Sequence, residues 1–450
     1  MEHGTRIALA CAAAVLAGCA TPHAAATPPT TPLAGAARLE APLHGRRAGT
    51  SPIQHVVIIV QENRSFNYMF HGYPGATTAD YGYNSSGQKI KLKPVSLAET
   101  YEIDHTSPDY FLACDGSGSI PGTNCKMDGF DKEYVDGKAP ANPQYAYAPK
   151  RDVKPYWSMA KQYVLGDHMF TSQIDASFVS HQYIIAGQAN SEVDLPTGLW
   201  GCGAGGSDTV TTLTASRTIG PSQSPCQDYQ TLGDEAVNAG LTWRFYSVPS
   251  NGTAYVWNGY QAVNHIYNGP QWNNIVTPPS QFLTDVQNGT LANVTWVEPT
   301  WADSDHSGSG SKTGPAWVAS VVNAVGESKF WDSTAIFVMW DEWGGWYDPV
   351  APPYEDYDGL GFRVPLLVIS PYAKQGYVSH TQFEHGSILR FVEDTFGLPQ
   401  LAASDTRAND PAADCMNYSQ PARAFTPITG SRPRSFFMGE PQPNHPLDEE

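Results

Sequence analysis

Residues 57–67 read VIIVQENRSFN, and this stretch decides the fold more than any other part of the chain. The apolar run at residues 56–60 predicts a strand that is buried on both faces of a parallel sheet. It stops abruptly in polar residues, among them Glu62 and Asn63. Open α/β sheets bind ligands at the carboxyl ends of their strands. A carboxylate beside an amide at that place predicts ligands for a hard cation or for phosphate.

A second stretch repeats this pattern. Residues 334–340, TAIFVMW, predict another buried strand, and Asp341 and Glu342 follow it directly. Two adjacent acids repel each other, and burying them without a counter-ion is costly. Alone, the pair also fits a solvated acidic turn after an edge strand. Together with Glu62 and Asn63, it favours a shared divalent metal and metal-assisted hydrolysis of phosphate esters.

A candidate nucleophile lies within residues 175–187, DASFVSHQYIIAG. An apolar helix is expected to begin near Ser177, and a helix N-terminus favours an alkoxide and binds phosphate oxygens. Ser177 is therefore a candidate nucleophile activated by a metal. The structural alternative is an ordinary N-cap serine, and Thr171, Ser172 and Ser180 are rival nucleophiles.

Three histidines lie in polar segments close to these elements: His105, His306 and His385. Each could neutralise phosphate charge or protonate a leaving group, although a histidine in a polar loop is often simply a surface residue. His306 is the best placed, because it follows the strand expected at residues 293–298.

Composition limits the classes of partner. The chain has 450 residues and a formal net charge of −18, which argues against nucleic acid and against simple electrostatic docking to anionic lipid. No stretch after the N-terminus approaches the roughly 20 apolar residues of a transmembrane helix.

The N-terminus predicts export from the cytoplasm. Residues 1–17 carry one basic residue followed by a short apolar run, and the tetrapeptide LAGC that ends at Cys19 matches a bacterial lipobox. We expect a lipoprotein signal over residues 1–19 and a lipid on Cys19, so that the protein is anchored to the cell envelope. An ordinary cleaved signal peptide is the alternative. Residues 20–50 are rich in Ala, Thr and Pro and predict a flexible tether.

The cysteines fit an oxidising compartment. Cys114 and Cys125 flank one Gly-rich loop, and Cys202 and Cys226 flank another. Local pairing is the simplest expectation, although four cysteines allow three pairings. Cys415 is left over. No Cys/His spacing predicts a zinc cage.

From residue 53 onward, strand-like runs alternate with amphipathic helices, which predicts an α/β fold with a mostly parallel sheet. We expect a catalytic domain over residues 51–402 and a Pro-rich tail over residues 403–450. The expected strands are residues 55–61, 241–248, 293–298, 334–340 and 364–370. The expected helices include residues 156–163, 180–186, 232–239, 281–287, 316–328 and 386–396. Residues 195–230 and 250–280 are expected to form long loops or a small lid.

Several motifs together resemble a known family. They are ENRSF at 62–66, MDGF at 127–130, GDHMF at 166–170, SFVSHQYIIAG at 177–187, SDH at 304–306, WDEWGGWYDPVAPP at 340–353, GFRVPLLVISPYA at 361–373 and EHGSILRFVEDTFGLP at 384–399. In this order they resemble the bacterial phosphoesterases that include non-haemolytic phospholipases C and acid phosphatases. That family is similar in fold to the alkaline phosphatase superfamily.

The resemblance implies a three-layer α/β/α sandwich with loop-rich insertions. It implies one divalent metal of unknown identity, and it places Ser177 as the nucleophile, with His105 and His306 around the phosphate. His385 matches a common motif position. The implied metal ligands are Glu62, Asn63, Asp341, Glu342 and Ser177.

Two positions depart from the family pattern. The familiar ENRSFDH ends here in Asn67 and Tyr68, and the familiar Tyr-Asp-His-Val has Pro349 in place of its histidine. The implied metal ligands are retained.

The expected function is metal-dependent hydrolysis of phosphate esters through a phosphoseryl intermediate, with a phosphomonoesterase of acid phosphatase type placed first. A phospholipase C is the alternative within the class, for which Trp301, Trp343 and Trp346 could form an apolar rim. A non-catalytic lipoprotein that binds a glycan or a phosphate ligand is the alternative from another class.

Overall fold

Eight strands form the central sheet of the computed structural model, which describes residues 51–204, 206–249 and 255–440. We number them in chain order: β1 His55–Gln61, β2 Val164–Gly166, β3 Trp243–Tyr246, β4 Ile275–Val276, β5 Val294–Val297, β6 Thr334–Trp340, β7 Leu366–Ile369 and β8 Tyr377–Ser379. Their order across the sheet is β4-β3-β5-β1-β6-β7-β2-β8. Only β7 runs antiparallel to its two neighbours, so the sheet is mostly parallel, as predicted.

The centre of the sheet is the pair β1 and β6. They run parallel in a register that sets His55 beside Thr334 and Gln61 beside Trp340. All residues of β6, and all of β1 after His55, are buried, which explains their unbroken apolar runs. All five expected strands are present, with ends that shift by up to two residues. The short strands β2, β4 and β8 were not expected, because two or three residues make no recognisable run.

Helices pack on the sheet and around its ends. Those of the described residues are α1 Phe66–Phe70, α2 Ser107–Cys114, α3 Lys154–Gln162, α4 Ser177–Ala186, α5 Leu232–Asn238, α6 Asn264–Tyr267, α7 Gln281–Gln287, α8 Gly314–Gly326, α9 His385–Phe396, α10 Ala403–Arg407, α11 Pro411–Cys415 and α12 Arg434–Met438. The six expected helices are all present, and α4 begins at Ser177.

Two aromatic contacts show that helices cover both faces of the sheet. The Phe337 ring lies 4.8 Å from that of Phe391 on α9, and the Trp340 ring lies 5.0 Å from that of Tyr156 on α3. Residues three apart on β6 point to opposite faces, so α3 and α9 lie on opposite sides. The chain therefore forms the expected three-layer α/β/α sandwich.

Insertions carry small two-stranded ladders beside the main sheet. Four pairs are present: Tyr81–Tyr83 with Lys89–Lys91, Lys93–Pro94 with Ala146–Tyr147, Glu102–Ile103 with Val135–Asp136, and Glu192–Val193 with Thr211–Thr212. Disulfides join Cys114 to Cys125 and Cys202 to Cys226, which confirms the predicted local pairings. Cys415 is buried and has a free thiol.

The segment after residue 402 packs against the rest of the domain up to residue 440. Trp331 Nε1 donates a hydrogen bond to the Arg423 carbonyl at 2.7 Å, and Phe437 on α12 is buried. The described residues all belong to one of the two units into which the chain divides, Gly45–Glu450. The predicted signal, Cys19 and tether lie outside the described residues. Within the described part, none of the helices has the length and apolar character needed to cross a bilayer.

Candidate metal and phosphoryl-transfer site

Three neighbouring parallel strands end in acids at one edge of the sheet. The order β5-β1-β6 places Glu298, Glu62 and Asp341 immediately after these strands, and all three side chains are buried. Glu62 and Asp341 were expected there, and the register of β1 with β6 sets them side by side. Glu298 was missed as a site residue, although the same strand-end rule could have found it at the end of the expected strand 293–298.

Ser177 faces these acids from the first position of α4. Ala176 is the N-cap residue, so Ser177 is not an ordinary N-cap serine. Its Oγ instead donates a hydrogen bond to Asp341 Oδ2 at 2.7 Å. The structure thus brings the candidate nucleophile to the expected acid, although the two are 164 residues apart in the chain.

The rival hydroxyls have other partners. Thr171 Oγ1 donates to the Gln173 carbonyl at 2.5 Å, and Ser172 Oγ donates to Glu384 Oε2 at 2.8 Å. Ser180 Oγ donates to the main-chain carbonyl of Asp341 at 2.5 Å and so supports the acid rather than competing with Ser177.

His181 is a second site residue that the sequence analysis missed. It lies four residues after Ser177, on the same face of α4. Its Nε2 is 3.4 Å from both oxygens of Glu62 and 3.8 Å from Asp341 Oδ2, and its Nδ1 is 3.6 Å from Glu298 Oε1. The i, i+4 spacing from the candidate nucleophile was the available signal.

The residues at this site fit a divalent cation. One ligand atom each from Glu62, His181 and Asp341 can be chosen so that all lie within 4.8 Å of one another. Burial, then the charges of Asp341 and Glu298, raise the pKa of Glu62 well above its ordinary value. Among the described residues, Glu62 Oε1 is buried and accepts no hydrogen bond. A bound cation would relieve this crowding of carboxylates.

Asn63 and Glu342, the other predicted ligands that follow β1 and β6, both lie against His105: Asn63 Nδ2 is 2.9 Å and Glu342 Oε1 is 3.4 Å from its Nε2. The Asn63 main-chain N–H donates to Asp341 Oδ1 at 2.8 Å, and Glu342 Oε2 accepts from the Gly344 N–H at 2.5 Å. Asn63 has a left-handed φ of 57°. A Cβ on Gly344 would lie 2.1 Å from the Asn63 carbonyl oxygen, so only glycine permits this approach of the two loops.

The two expected phosphate-binding histidines meet beside Asn63. Asn63 Nδ2 donates to His105 Nε2 at 2.9 Å, while His105 Nδ1 donates to the Ile103 carbonyl at 2.7 Å. The ring centroids of His105 and His306 are 6.4 Å apart, and both side chains are buried. The His306 ring also lies 4.4 Å from Trp301, which in turn stacks on Trp257 at 5.9 Å.

Arg64 holds the loop that carries His306. Its Nε donates to the Asp305 carbonyl at 2.6 Å and its Nη1 donates to Ser307 Oγ at 3.1 Å. Its Nη2 pairs with buried Glu99 at 2.6 Å. The guanidinium also lies 4.9 Å from the Trp346 ring, so Trp346 is a packing residue rather than part of an open rim. The basic residue of ENRSF is therefore a positioning residue for His306.

His385 is at the start of α9, behind β6. Its Nε2 donates to the Trp340 carbonyl at 3.1 Å, and burial lowers its pKa to about 4. The neutral ring fixes the end of the strand that precedes Asp341.

The positions that depart from the family pattern have structural partners. Asn67 Oδ1 accepts from the Ala79 N–H at 2.8 Å, and Tyr68 OH donates to the Val95 carbonyl at 3.2 Å. Asp348, beside Pro349, pairs with buried Arg363 at 2.8 Å. Each of these side chains is therefore held by a contact within the fold.

Comparison with known families decides the class of protein. The model of the Phosphoesterase family matches residues 53–399. The chain belongs to this family. The match covers every element and residue of the site described above, and it confirms the resemblance found in the sequence. This member of the Phosphoesterase family is thus a phosphoric ester hydrolase. Members of the family generally use metal ions, and the described residues include candidate metal-binding groups.

Relatives of this phosphoesterase include named bacterial enzymes. It is 26% identical over 404 residues to "Phospholipase C B" of Mycobacterium tuberculosis, and the alignment covers 77% of this chain and 74% of the relative. It is 25% identical over 419 residues to "Hemolytic phospholipase C" of Pseudomonas aeruginosa, and this alignment covers 80% of this chain and 55% of the relative.

One solved structure is described as a protein in the alkaline phosphatase superfamily from Vibrio parahaemolyticus. It is 10% identical to this chain, with a TM-score of 0.40, and the alignment covers 79% of this chain and 70% of the other.

Proposed function

We propose that this phosphoesterase cleaves phosphate esters by attack of Ser177 Oγ on phosphorus. The observation that carries the proposal is the 2.7 Å hydrogen bond from Ser177 Oγ to Asp341 Oδ2, at the edge where Glu62 also ends a strand. It places a hydroxyl at a helix N-terminus, beside the acids that fit a cation. Phosphate oxygens are bound by the free amides of the first turn of α4.

The protein side chains account for the proton movements. Asp341 accepts the hydroxyl proton of Ser177 while Oγ forms its bond to phosphorus and the ester oxygen leaves. His306 gives the leaving oxygen a proton, whereas both ring nitrogens of His105 are engaged by Asn63 and the Ile103 carbonyl. Water then attacks the phosphoseryl group, one water proton restores the histidine, and Asp341 returns its proton to Ser177 Oγ. The enzyme is back in its starting state and releases phosphate from a monoester, or phosphocholine from phosphatidylcholine.

One divalent cation is proposed at this site. Glu62, Asn63, Asp341, Glu342 and Ser177 would hold it, with His181 beside them, and it would supply Lewis-acid stabilisation of phosphoryl charge. Its identity is left open, because oxygen-rich ligands suit several hard cations.

Two substrate classes are proposed. The sequence motifs place phosphomonoesters first, whereas the relatives named as phospholipases C favour a phospholipid headgroup. We therefore rank phospholipids first. The apolar rim expected of Trp301, Trp343 and Trp346 is not exposed, because all three side chains are buried and pack against other aromatic residues.

The test is product analysis on metal-depleted and metal-restored enzyme, with an aryl phosphate and with phosphatidylcholine vesicles. We expect activity only after metal is restored, and phosphocholine rather than inorganic phosphate from the vesicles. Inorganic phosphate from the aryl ester alone would reverse the ranking of substrates. Full activity without metal on either substrate would contradict the proposed site.

Attachment to the cell envelope through lipidated Cys19 is also proposed, from the lipobox alone. Mass spectrometry of the N-terminal peptide of membrane-extracted protein tests it. A Cys19→Ala variant should lose the lipid and leave the membrane fraction, whereas an unmodified Cys19 or a retained membrane location would contradict the attachment.

A further inference from the structure

A second group of ligand-type side chains lies at the other end of the same sheet edge. Asp167 follows β2 and His380 follows the edge strand β8, which runs parallel to β2 with Ser379 beside Gly166. The Asp167 N–H donates to the Ser379 carbonyl at 3.0 Å, so the two segments leave the sheet together. Strands β6 and β2 are separated by β7, which places this group away from Asp341.

Three side chains of this group converge on one point. Asp167 Oδ1 lies 2.7 Å from His168 Nδ1 and 2.8 Å from His380 Nδ1. One ligand atom from each residue can be chosen so that all lie within 4.8 Å of one another. The two imidazoles thus face the same carboxylate oxygen from two different segments of chain.

The carboxylate is fixed in place by its surroundings. Its second oxygen accepts the Thr77 N–H at 2.8 Å, and Arg363 Nη1 donates to the Asp167 carbonyl at 2.6 Å. The carboxylate is therefore held in one orientation, with two imidazoles against it.

The group is also open to an arriving ion. The Asp167 side chain is fully buried, while the His168 and His380 side chains are 28% and 58% exposed. A hydrated cation can therefore reach the imidazoles from solvent, and water can complete its coordination shell.

We propose that Asp167, His168 and His380 bind a divalent metal ion of the Zn²⁺, Cu²⁺ and Ni²⁺ class. Two imidazole nitrogens and one carboxylate oxygen suit Zn²⁺, Cu²⁺ or Ni²⁺, whereas Mg²⁺ and Ca²⁺ prefer oxygen ligands. The ion takes the place of the two hydrogen bonds to Oδ1, and each imidazole proton moves from Nδ1 to the outer Nε2. The bound ion joins the edge strand β8 to β2, so it should stabilise that edge of the sheet.

The nitrogen ligands distinguish this site from the one at Ser177. The group of Glu62, His181 and Asp341 offers an ion one imidazole, whereas the second site offers two. Electron paramagnetic resonance of one equivalent of Cu²⁺ counts coordinated nitrogens directly. Zinc titration of metal-free protein by calorimetry, with the bound metal counted by mass spectrometry, gives stoichiometry and affinity.

The matched control is His71→Ala. His71 Nε2 is 3.0 Å from Asp80 Oδ1. The two residues form a partly exposed ion pair with one imidazole rather than two. His168→Ala and His380→Ala should each lose one Zn²⁺ equivalent, or weaken its affinity at least about tenfold, and should lose the two-nitrogen Cu²⁺ signal. His71→Ala should keep both.

Two results would overturn the proposal. One is an unchanged zinc stoichiometry and affinity in His380→Ala; the other is a Cu²⁺ spectrum of the native protein that shows no pair of nitrogen ligands. Circular dichroism of each variant checks that it is folded. Should His380→Ala unfold, His380→Gln keeps the size of the side chain and removes the imidazole, and the same readouts apply to it. None of these measurements depends on catalytic activity.

Discussion

Ser177 Oγ lies 2.7 Å from Asp341 Oδ2, and this contact joins the N-terminus of α4 to the carboxyl end of β6. Ser180 Oγ, one turn later on α4, donates to the Asp341 main-chain carbonyl at 2.5 Å. Helix and strand end are therefore joined by two hydrogen bonds, so the position of Ser177 is set by backbone elements rather than by a loop.

Replacing Ser177 by alanine should abolish turnover. Since Oγ is the proposed attacking atom, kcat/KM on an aryl phosphate should fall at least about 10³-fold, while the melting temperature changes little. Ser172→Ala is the matched control, because Ser172 is a buried serine whose Oγ donates to Glu384 instead. Steady-state kinetics and circular dichroism on both variants measure this. Near-native activity in Ser177→Ala would reject the assignment.

Arg64 and Glu99 should be strongly coupled. Both are buried and pair at 2.6 Å, so Arg64→Met leaves a buried carboxylate without its cation. We expect a loss of roughly 3–5 kcal/mol in the free energy of unfolding. The double variant Arg64→Met with Glu99→Gln should recover part of that loss, because no buried charge is left unpaired. Urea unfolding of the two single variants and the double variant gives the coupling energy.

The same double variant tests how His306 is positioned. Arg64 holds the Asp305 carbonyl and Ser307 Oγ on either side of His306, so the restored stability should come without restored kcat. A double variant that regains full activity would show that the loop keeps its position without the guanidinium.

Glu298 should act on the site through His181. Its Oε1 lies 3.6 Å from His181 Nδ1, while the other nitrogen of the ring faces Glu62. Partners of this kind are typically worth about 10–100-fold in metal affinity or activity. Glu298→Gln should therefore weaken activation by added divalent metal. The control is Glu192→Gln, a buried glutamate bound by Gln182 and Gln227. Equal metal dependence in the two variants would contradict this role.

Much of the site was predictable because parallel strands end at the same edge. The polar residues after β1 and β6 could be paired from sequence, since both strands are seven residues long and mostly apolar. Glu298 was not singled out, because its importance depends on β5 lying next to β1. Strand order is set by how the crossover helices pack, and no local pattern reports it.

Other features were hidden for physical reasons that differ from case to case. The role of His181 depends on the rotation of α4 about its axis, which turns the ring toward Glu62 and Glu298. The strands β2 and β8 have three residues each. The convergence of Asp167 with His380 rests on their pairing, so it could not be inferred from either segment alone.

Glu393 provides a test of stability against pH that is independent of the active site. Burial, then the neighbouring carboxyls of Asp405 and Glu235, raise its pKa from 4.5 to about 11. The folded state therefore holds a proton that the unfolded state releases above about pH 4.5. The free energy of unfolding therefore falls as the pH rises above 4.5, because the unfolded state then releases this proton while the folded state still binds it.

Glu393→Gln removes this pH-dependent loss. The variant should melt close to the native protein near pH 4, and its advantage in melting temperature should grow steadily as the pH rises toward 8. Asp394→Asn is the control: this partly exposed neighbour pairs with Arg390 at 2.8 Å, and helix i, i+4 pairs of this kind contribute about 0.3–0.5 kcal/mol. Thermal melts of all three proteins across this range measure the effect. A constant difference between Glu393→Gln and the native protein at every pH would show that Glu393 has the same proton affinity in both states.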